Sequence, residues 1–323
     1  MQTILILTLD GVLDASLGIT LDTLKAGRSL LAGAGKAARV RVLTAGYAKT
    51  IRTGAGLRLT TDMTFREVVS AQLRPSWVVL PGAGLSTEEQ IAARFSRKDA
   101  VALMELLRAL AAAKVRIATS CSSVFFLAQA GLLSGRAATT TWWLAPIFRG
   151  RYADVRLDES KMLVRDGQYL SSGSAFSQMD LMLAVVTDTM GAGVAHLCSR
   201  YLLIDERPSQ ARYMIPNHIQ QVDATVIAAE RWIDEHLAMP VSVAALASQL
   251  AMSPRTLARR IEVAMGVSPV KFIQRRKLLH AVHLLETSSR SIDAIARDIG
   301  YQDATTLRKL IRREFGMTPG AMR

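Results

Sequence analysis

VAALASQLAMSPRTLARRIEVAMGVSP, residues 243–269, and IDAIARDIGYQDATTLRKLIRREFGMTP, residues 292–319, repeat one pattern. Each opens with a short apolar helix around a small residue, Ala247 or Ala296. A polar turn follows, and then a second helix carrying Leu257 or Leu307. Each closes on Gly-x-Ser/Thr-Pro, Gly266 to Pro269 and Gly316 to Pro319, and Leu, Gly and Pro keep the same spacing in both copies. The second copy has one extra residue in its turn. Periodic apolar positions, a tight turn and a basic amphipathic helix describe a helix-turn-helix.

Local chemistry assigns faces within each copy. Ser253 is placed to cap the second helix of the first copy, and Pro254 suits its first turn. Leu257 and Ile261 are spaced to face inward, which leaves Arg255, Thr256, Ala258, Arg259 and Arg260 outward. In the second copy Asp303 is the expected cap. Leu307, Ile311 and Phe315 form the inner stripe there, and Thr305, Arg308, Lys309 and Arg312 the outer one. A major groove admits one α-helix, and a bidentate arginine–guanine contact is worth roughly 1–3 kcal/mol of discrimination. The joining helix over residues 269–285 spans about 25 Å at ~1.5 Å per residue. With the width of the two units added, the outer helices reach successive grooves about 34 Å apart. Arg275, Arg276 and Lys277 on the joining helix are expected on a solvated face.

This segment resembles the DNA-binding domain of the AraC/XylS family of bacterial transcription regulators. The residues that carry the resemblance are Ala247, Ser253, Leu257, the helix over 272–285, Ala296, Ile299, Gly300, Tyr301, Leu307, Phe315, Gly316 and Pro319. The resemblance implies that Arg255, Ala258 and Arg259 sit where bases are read. Arg260 and Lys271 are then expected nearer phosphate or solvent, and the second copy is expected to position rather than specify. Leu307 stands where many relatives carry Phe, a change in the core rather than in reading.

Upstream, residues 2–8, 40–44, 77–80 and 115–120 read as buried strands. Residues 21–31, 99–114, 124–130 and 176–190 read as helices. Strands alternating with helices indicate an α/β domain with a mainly parallel, flavodoxin-like sheet, whose ligands bind beyond the carboxyl ends of the strands. Pro81-Gly82-Ala83-Gly84 and Cys121 both stand at such ends. Residues 137–141 read as extended, and 155–157 with 162–171 as a hairpin region turning at Asp166-Gly167. The polar, proline-containing stretch around 206–218 is the expected linker. It divides an α/β domain over 1–205 from an all-α domain with two helix-turn-helix units over 219–323.

IATSCSSVFFLAQAGLLSGRAATTTWW, residues 117–143, is similar to the nucleophile-elbow segment of the PfpI-like branch of the glutamine-amidotransferase-like superfamily. LPGAG fits the loop after an earlier strand of that fold. GVLDASLGITLDTL fits its first strand-to-helix crossing, with Asp22 where an acidic residue usually sits. That fold followed by an AraC-type domain is the GlxA-type architecture. The resemblance implies a ligand pocket at Asp22, Gly82, Cys121, Ser122, Thr141 and Trp142. A cysteine hydrolase needs a base within reach, and relatives with a Thr-His-Trp stretch contrast with Thr140-Thr141-Trp142 here. None of the five histidines falls between the elbow and Trp142, and Ser123 replaces a frequent glycine. Cys121 is therefore a buried inert cysteine, a pocket residue or, against the missing histidine, a nucleophile. Trp142 and Trp143 suit either a pocket wall for a cationic ligand or a core or dimer contact.

The whole chain sets outer bounds. Two domains suit 323 residues. The net charge of +13 suggests a polyanionic partner. Its distribution does not single out the helix-turn-helix end, because residues 219–323 hold 15 Lys/Arg against 10 Asp/Glu and residues 1–218 hold 25 against 17. No apolar run reaches the ~18 residues of a membrane helix, and the apolar first strand lacks the basic flank of a signal peptide. Cys121 and Cys198 form no disulfide framework, which fits a reducing cytoplasm. No metal or cofactor is expected: the His and Cys residues lack ligand spacing, and Gly33-Ala34-Gly35-Lys36 lacks the full phosphate-loop spacing. The expectation is a cytoplasmic, nucleoid-associated regulator without catalytic activity. Promoter DNA, a small nitrogenous effector, RNA polymerase and a second copy of the chain are the expected partners. The alternative is a cysteine enzyme acting on an amide or aldehyde and tethered to DNA.

Overall fold

The computed structural model describes residues 2–33, 40–205, 207–214 and 223–323. Ala34, Gly35 and Lys36 lie outside the described residues, as do 206 and 215–218 of the expected linker. Backbone contacts divide the chain into two compact units, Met1–Leu144 with Tyr152–Arg207, and Ala145–Arg151 with Pro208–Arg323.

Up to residue 205 the chain runs β1 (Gln2–Thr8), α1 (Asp14–Gly33), β2 (Val40–Gly46), β3 (Thr50–Arg52), β4 (Arg58–Thr60), β5 (Met63–Thr64), α2 (Phe65–Ser70), β6 (Trp77–Leu80), α3 (Glu88–Phe95), α4 (Lys98–Ala112), β7 (Arg116–Ser120), α5 (Val124–Gln129), β8 (Ala137–Ala138), α6 (Ala145–Arg151), β9 (Arg156–Leu157), β10 (Leu163–Asp166), β11 (Tyr169–Ser172), α7 (Gln178–Met190) and α8 (Ala192–Tyr201). The main sheet has the order β10-β11-β7-β6-β1-β2-β5. It is parallel except for β10, which pairs antiparallel with β11. β6 is buried at every residue and β1 along its last five, as strands covered on both faces must be. Helices α1, α7 and α8 cover one face through Leu24, Leu181, Val185 and Cys198, packed with Ile4, Ile6 and Val79.

Residues 155–157 do not join the hairpin. β9 instead pairs in parallel with β8 as a separate two-stranded sheet, held by Arg156 N–H donating to the Arg136 carbonyl at 2.8 Å. The hairpin is β10 with β11 alone. α1 starts at Asp14, ahead of the expected 21–31, because the Leu13 amide is already tied to the Gly82 carbonyl at 2.8 Å. The pair β3 and β4 and the helices α2, α3, α6 and α8 had no expectation attached to them.

The second unit continues with α9 (Ala224–Glu235), α10 (Val243–Gln249), α11 (Pro254–Met265), α12 (Pro269–Thr287), α13 (Ile292–Asp298) and α14 (Ala304–Phe315). It has two separate hydrophobic cores. One gathers Val226, Ile233, Leu246, Ala247, Leu257 and Ile261 with Phe272 and Ile273 of α12. The other gathers Ile295, Ala296, Leu307, Ile311 and Phe315 with Leu278, Ala281, Val282 and Leu285 of α12. α12 is thus one rod inserted into both cores.

Candidate functional site

Three strand ends meet at the first candidate site. β7 ends at Ser120, and Cys121 opens a tight turn into α5 with a left-handed φ of +55°. That conformation costs a non-glycine residue about 1–3 kcal/mol and persists where surrounding bonds enforce it. Here the Cys121 amide donates to the Gly173 carbonyl at 2.7 Å. The Thr140 hydroxyl donates to the Cys121 carbonyl at 2.8 Å. The Ser123 hydroxyl donates to the Pro81 carbonyl at 2.6 Å, and the Leu85 amide to the Ser122 hydroxyl at 3.1 Å. Ser123, a departure from glycine in the sequence, is therefore the side chain that fastens the elbow to the Pro81 loop.

Gly82 faces the cysteine. A Cβ on Gly82 would stand 3.2 Å from the Cys121 Cβ and 3.1 Å from the Ser16 hydroxyl. The position lies between β6 and β1, where the strand order reverses and open parallel sheets take ligands. Burial pushes the Cys121 thiol up, and Ser122 and Thr141, which pull the other way, do not overcome it. Among the described residues, which do not include His218, no histidine acts on the sulfur. The buried hydroxyls of Ser120 and Thr141 have no hydrogen-bonding partner of nitrogen or oxygen among the described residues. Trp142 is buried and meets Trp143 edge-on, with ring centroids 5.4 Å apart. Gly82, Cys121, Ser122 and Thr141 are thus brought together. Asp22 is not: it is exposed on α1, and Ser16 at the start of that helix is the residue that reaches the site. A hydroxyl one turn into α1 carries no local signal that would have found it.

The second candidate site is the pair of helices α11 and α14. Ser253 caps α11, its hydroxyl accepting from the Thr256 amide at 3.1 Å, with Pro254 in the first turn. Asp303 caps α14, accepting from the Thr306 amide at 2.8 Å and the Thr306 hydroxyl at 2.9 Å. These bonds hold the Asp303 carboxyl below its usual range, so its charge is spent on the cap. Both helices end on a left-handed glycine, Gly266 and Gly316. Leu257 and Ile261, and Leu307, Ile311 and Phe315, point inward as their spacing requires. Arg255 and Arg259 are exposed on α11, with Thr256 and Ala258 half-buried beside them. Thr305, Arg308, Lys309 and Arg312 are exposed on α14. Among the described residues, Arg255, Arg259, Arg308, Lys309 and Arg312 have no acidic partner. Arg260 differs: it donates to Thr225 at 2.5 Å and to Asp223 at 3.3 Å, which ties α11 to the start of α9. Lys271 is exposed.

The cations of α12 overturn their expectation of a solvated face. Arg275, Arg276 and Lys277 are all buried. Arg276 Nε donates to Asp234 at 2.7 Å, with Glu230 at 3.8 Å. Arg275 faces Glu314 at 3.7 Å. Lys277 Nζ donates to the carbonyls of Leu237, Met239 and Ile299 at 2.8, 2.7 and 3.1 Å. Burial lowers the Lys277 pKa. Burial also opposes the Arg276 charge, but Asp234 and Glu230 outweigh it and raise its pKa.

Comparison with known proteins finds two families along the chain. The DJ-1/PfpI family matches residues 2–188, and a helix-turn-helix domain matches residues 246–323. The HTH-type transcriptional regulator GlxA of Rhizobium meliloti is 27% identical over 233 residues, 70% of each chain. The HTH-type transcriptional activator RhaS of Escherichia fergusonii is 36% identical over 104 residues, 32% of this chain and 37% of its own. Among solved structures, Drosophila melanogaster DJ-1beta superposes with a TM-score of 0.51 at 19% identity, covering 64% of this chain and 99% of its own. An AraC family transcriptional regulator from Pseudomonas putida gives 0.51 at 20% identity, covering 62% of this chain and all of its own. At these identities the structures speak for the fold alone.

Proposed function

The chain belongs to the DJ-1/PfpI family and carries an AraC-type helix-turn-helix domain, and from that premise we propose a ligand-responsive activator that reads promoter DNA. Residues 1–205 form the sensing and dimerising domain and 219–323 the DNA-binding domain; within the expected 206–218 linker, the stretch from Pro208 belongs to the DNA-binding unit, with Ala211 in its core. The observation that carries the DNA-reading part is the set of five exposed cations on α11 and α14 that have no acidic partner among the described residues. Arg255 and Arg259 read bases from α11, with Ser253, Thr256 and Ala258 beside them. Thr305, Arg308, Lys309 and Arg312 hold the backbone from α14. RNA polymerase and a second copy of the chain complete the assembly in the cytoplasm.

The effector is a small nitrogenous molecule bound at Gly82, Cys121, Ser122, Thr141 and Trp142. The buried Ser120 hydroxyl, which has no hydrogen-bonding partner among the described residues, suits a polar ligand, and the indole of Trp142 suits a cationic group. The sequence assigned Asp22 to that pocket; its exposure takes it out. The strained turn at Cys121 is the one feature that favours an enzyme acting on an amide or aldehyde. A raised thiol pKa, with no histidine among the described residues acting on it, favours binding over turnover.

The test is selection of random duplex DNA by the full chain, with the Arg255→Ala/Arg259→Ala double variant in parallel. A recovered motif that the variant loses is the expected result. Binding without any motif, governed by salt alone, would sink the reading.

A further inference from the structure

We propose that Lys277, with Arg275 and Arg276 beside it, is a positioning residue that sets the distance and angle between the two recognition helices. The inference rests on the DNA-reading function above, and adds a device that fixes the spacing of the two DNA elements read.

The two cores of the DNA-binding unit share no residue, and α12 contributes to both. A single helix joining two small cores leaves them free to rock about it unless side ties brace the junction. The three cations occupy the turn of α12 between Ile273, the last residue it lends to one core, and Leu278, the first it lends to the other. Each reaches a different neighbour. Arg276 holds Asp234 and Glu230 of α9. Arg275 faces Glu314 of α14. Lys277 bridges both sides at once, taking Leu237 and Met239 after α9 and Ile299 at the end of α13.

An ammonium has three donors and no acceptor, and here all three are used. Its acceptors are carbonyls at the ends of two helices, where the backbone dipoles present negative charge. The junction has no slack. Gly300, at φ +77°, leaves room where a Cβ would stand 2.9 Å from the Leu237 and Ala238 carbonyls and 3.0 Å from Lys277 Nζ. The backbone after α13 therefore lies directly on the backbone after α9, with the ammonium sealed between them. α9 packs in the core of α11, and α13 in the core of α14. Fixing their ends together fixes α11 relative to α14.

The experiment starts from the duplex that the wild-type chain selects. One to four base pairs are inserted between the two protected segments, each moving them apart by about 3.4 Å and rotating them by roughly 35°. Wild-type affinity is expected to fall by about tenfold within two insertions, as the second contact loses its effective concentration. Lys277→Met, folded by circular dichroism, is expected to keep its affinity for a single segment within about twofold and to lose the spacing dependence. A spacing profile like that of the wild type overturns the proposal. If Lys277→Met does not fold, Gly300→Ala, which keeps the charge and crowds the same junction, is read on the same series by the same criterion. If the wild-type chain selects no sequence, the DNA-reading function fails by itself. The junction is then judged without DNA, from the spin-label distance between Arg259→Cys and Arg312→Cys. A distribution that broadens when Lys277 is replaced supports the proposal, and an unchanged one overturns it.

Discussion

Cations on the outer faces of α11 and α14 and cations at the waist of α12 are the same chemistry in two uses. Arg255, Arg259, Arg308, Lys309 and Arg312 stand in solvent without acidic partners among the described residues. Arg275, Arg276 and Lys277 are buried, each with a counter-charge or a set of carbonyls. The first group is available to a polyanion; the second is consumed by the fold. Replacing the first should cost binding and leave stability alone, while replacing the second should cost stability or the fixed spacing of the two helices and leave the contact with a single DNA segment alone.

The contrast breaks most readily at α11. Arg255→Ala/Arg259→Ala should cost the selected sequence about 2–6 kcal/mol of discrimination, at least about 30-fold, because each bidentate contact is worth roughly 1–3. Its melting temperature should stay at the wild-type value, since exposed, unpaired side chains rarely change stability by more than about 0.5 kcal/mol. A large fall in stability would show that α11 uses these arginines structurally. Arg276→Met tests the opposite side. It leaves Asp234 and Glu230 without their counter-charge and should destabilise the chain by about 3 kcal/mol in denaturant unfolding. That figure is at the low end for a broken buried pair, because the Asp234 side chain is 34% exposed. The smallest effect belongs to α14. Arg312→Ala should weaken binding evenly across sequences and reduce the slope of log affinity against log salt by about one. A loss confined to the selected motif would make α14 a reader and not a clamp.

The same contrast shows what was legible beforehand. Everything local to a recognition helix was legible: Ser253 and Asp303 as caps, Gly266 and Gly316 as stops, Leu257 and Leu307 inward, the arginines outward. These follow from hydrogen-bonding capacity and a 3.6-residue period, which act over one or two turns. The waist was misread because three charges in a row are ordinarily solvated. One signal was present. Consecutive helical residues are about 100° apart, so three in a row span roughly 200° of the helix. On a helix packed into two cores, at least one of them has to face inward. Which carbonyls would receive Lys277 was out of reach, since Leu237 and Ile299 are 40 and 22 residues away along the chain.

The elbow divides in the same way. Its position at Cys121 and its partner loop at Pro81 were readable from strand ends. Ser16 in place of Asp22 was not, because helix periodicity does not say which end of α1 approaches Gly82. Ser123 read as a lost glycine until its bond to the Pro81 carbonyl was seen.

By itself the sequence determined the α/β and helix-turn-helix composition, the faces of α11 and α14 and the place of the cysteine, because short-range periodicity and capping govern those features. Tertiary structure alone decided that the thiol is sealed under hydroxyls from separate elements and that three cations of α12 brace two cores. Both depend on desolvation, and desolvation is set by whatever the rest of the chain packs against a residue.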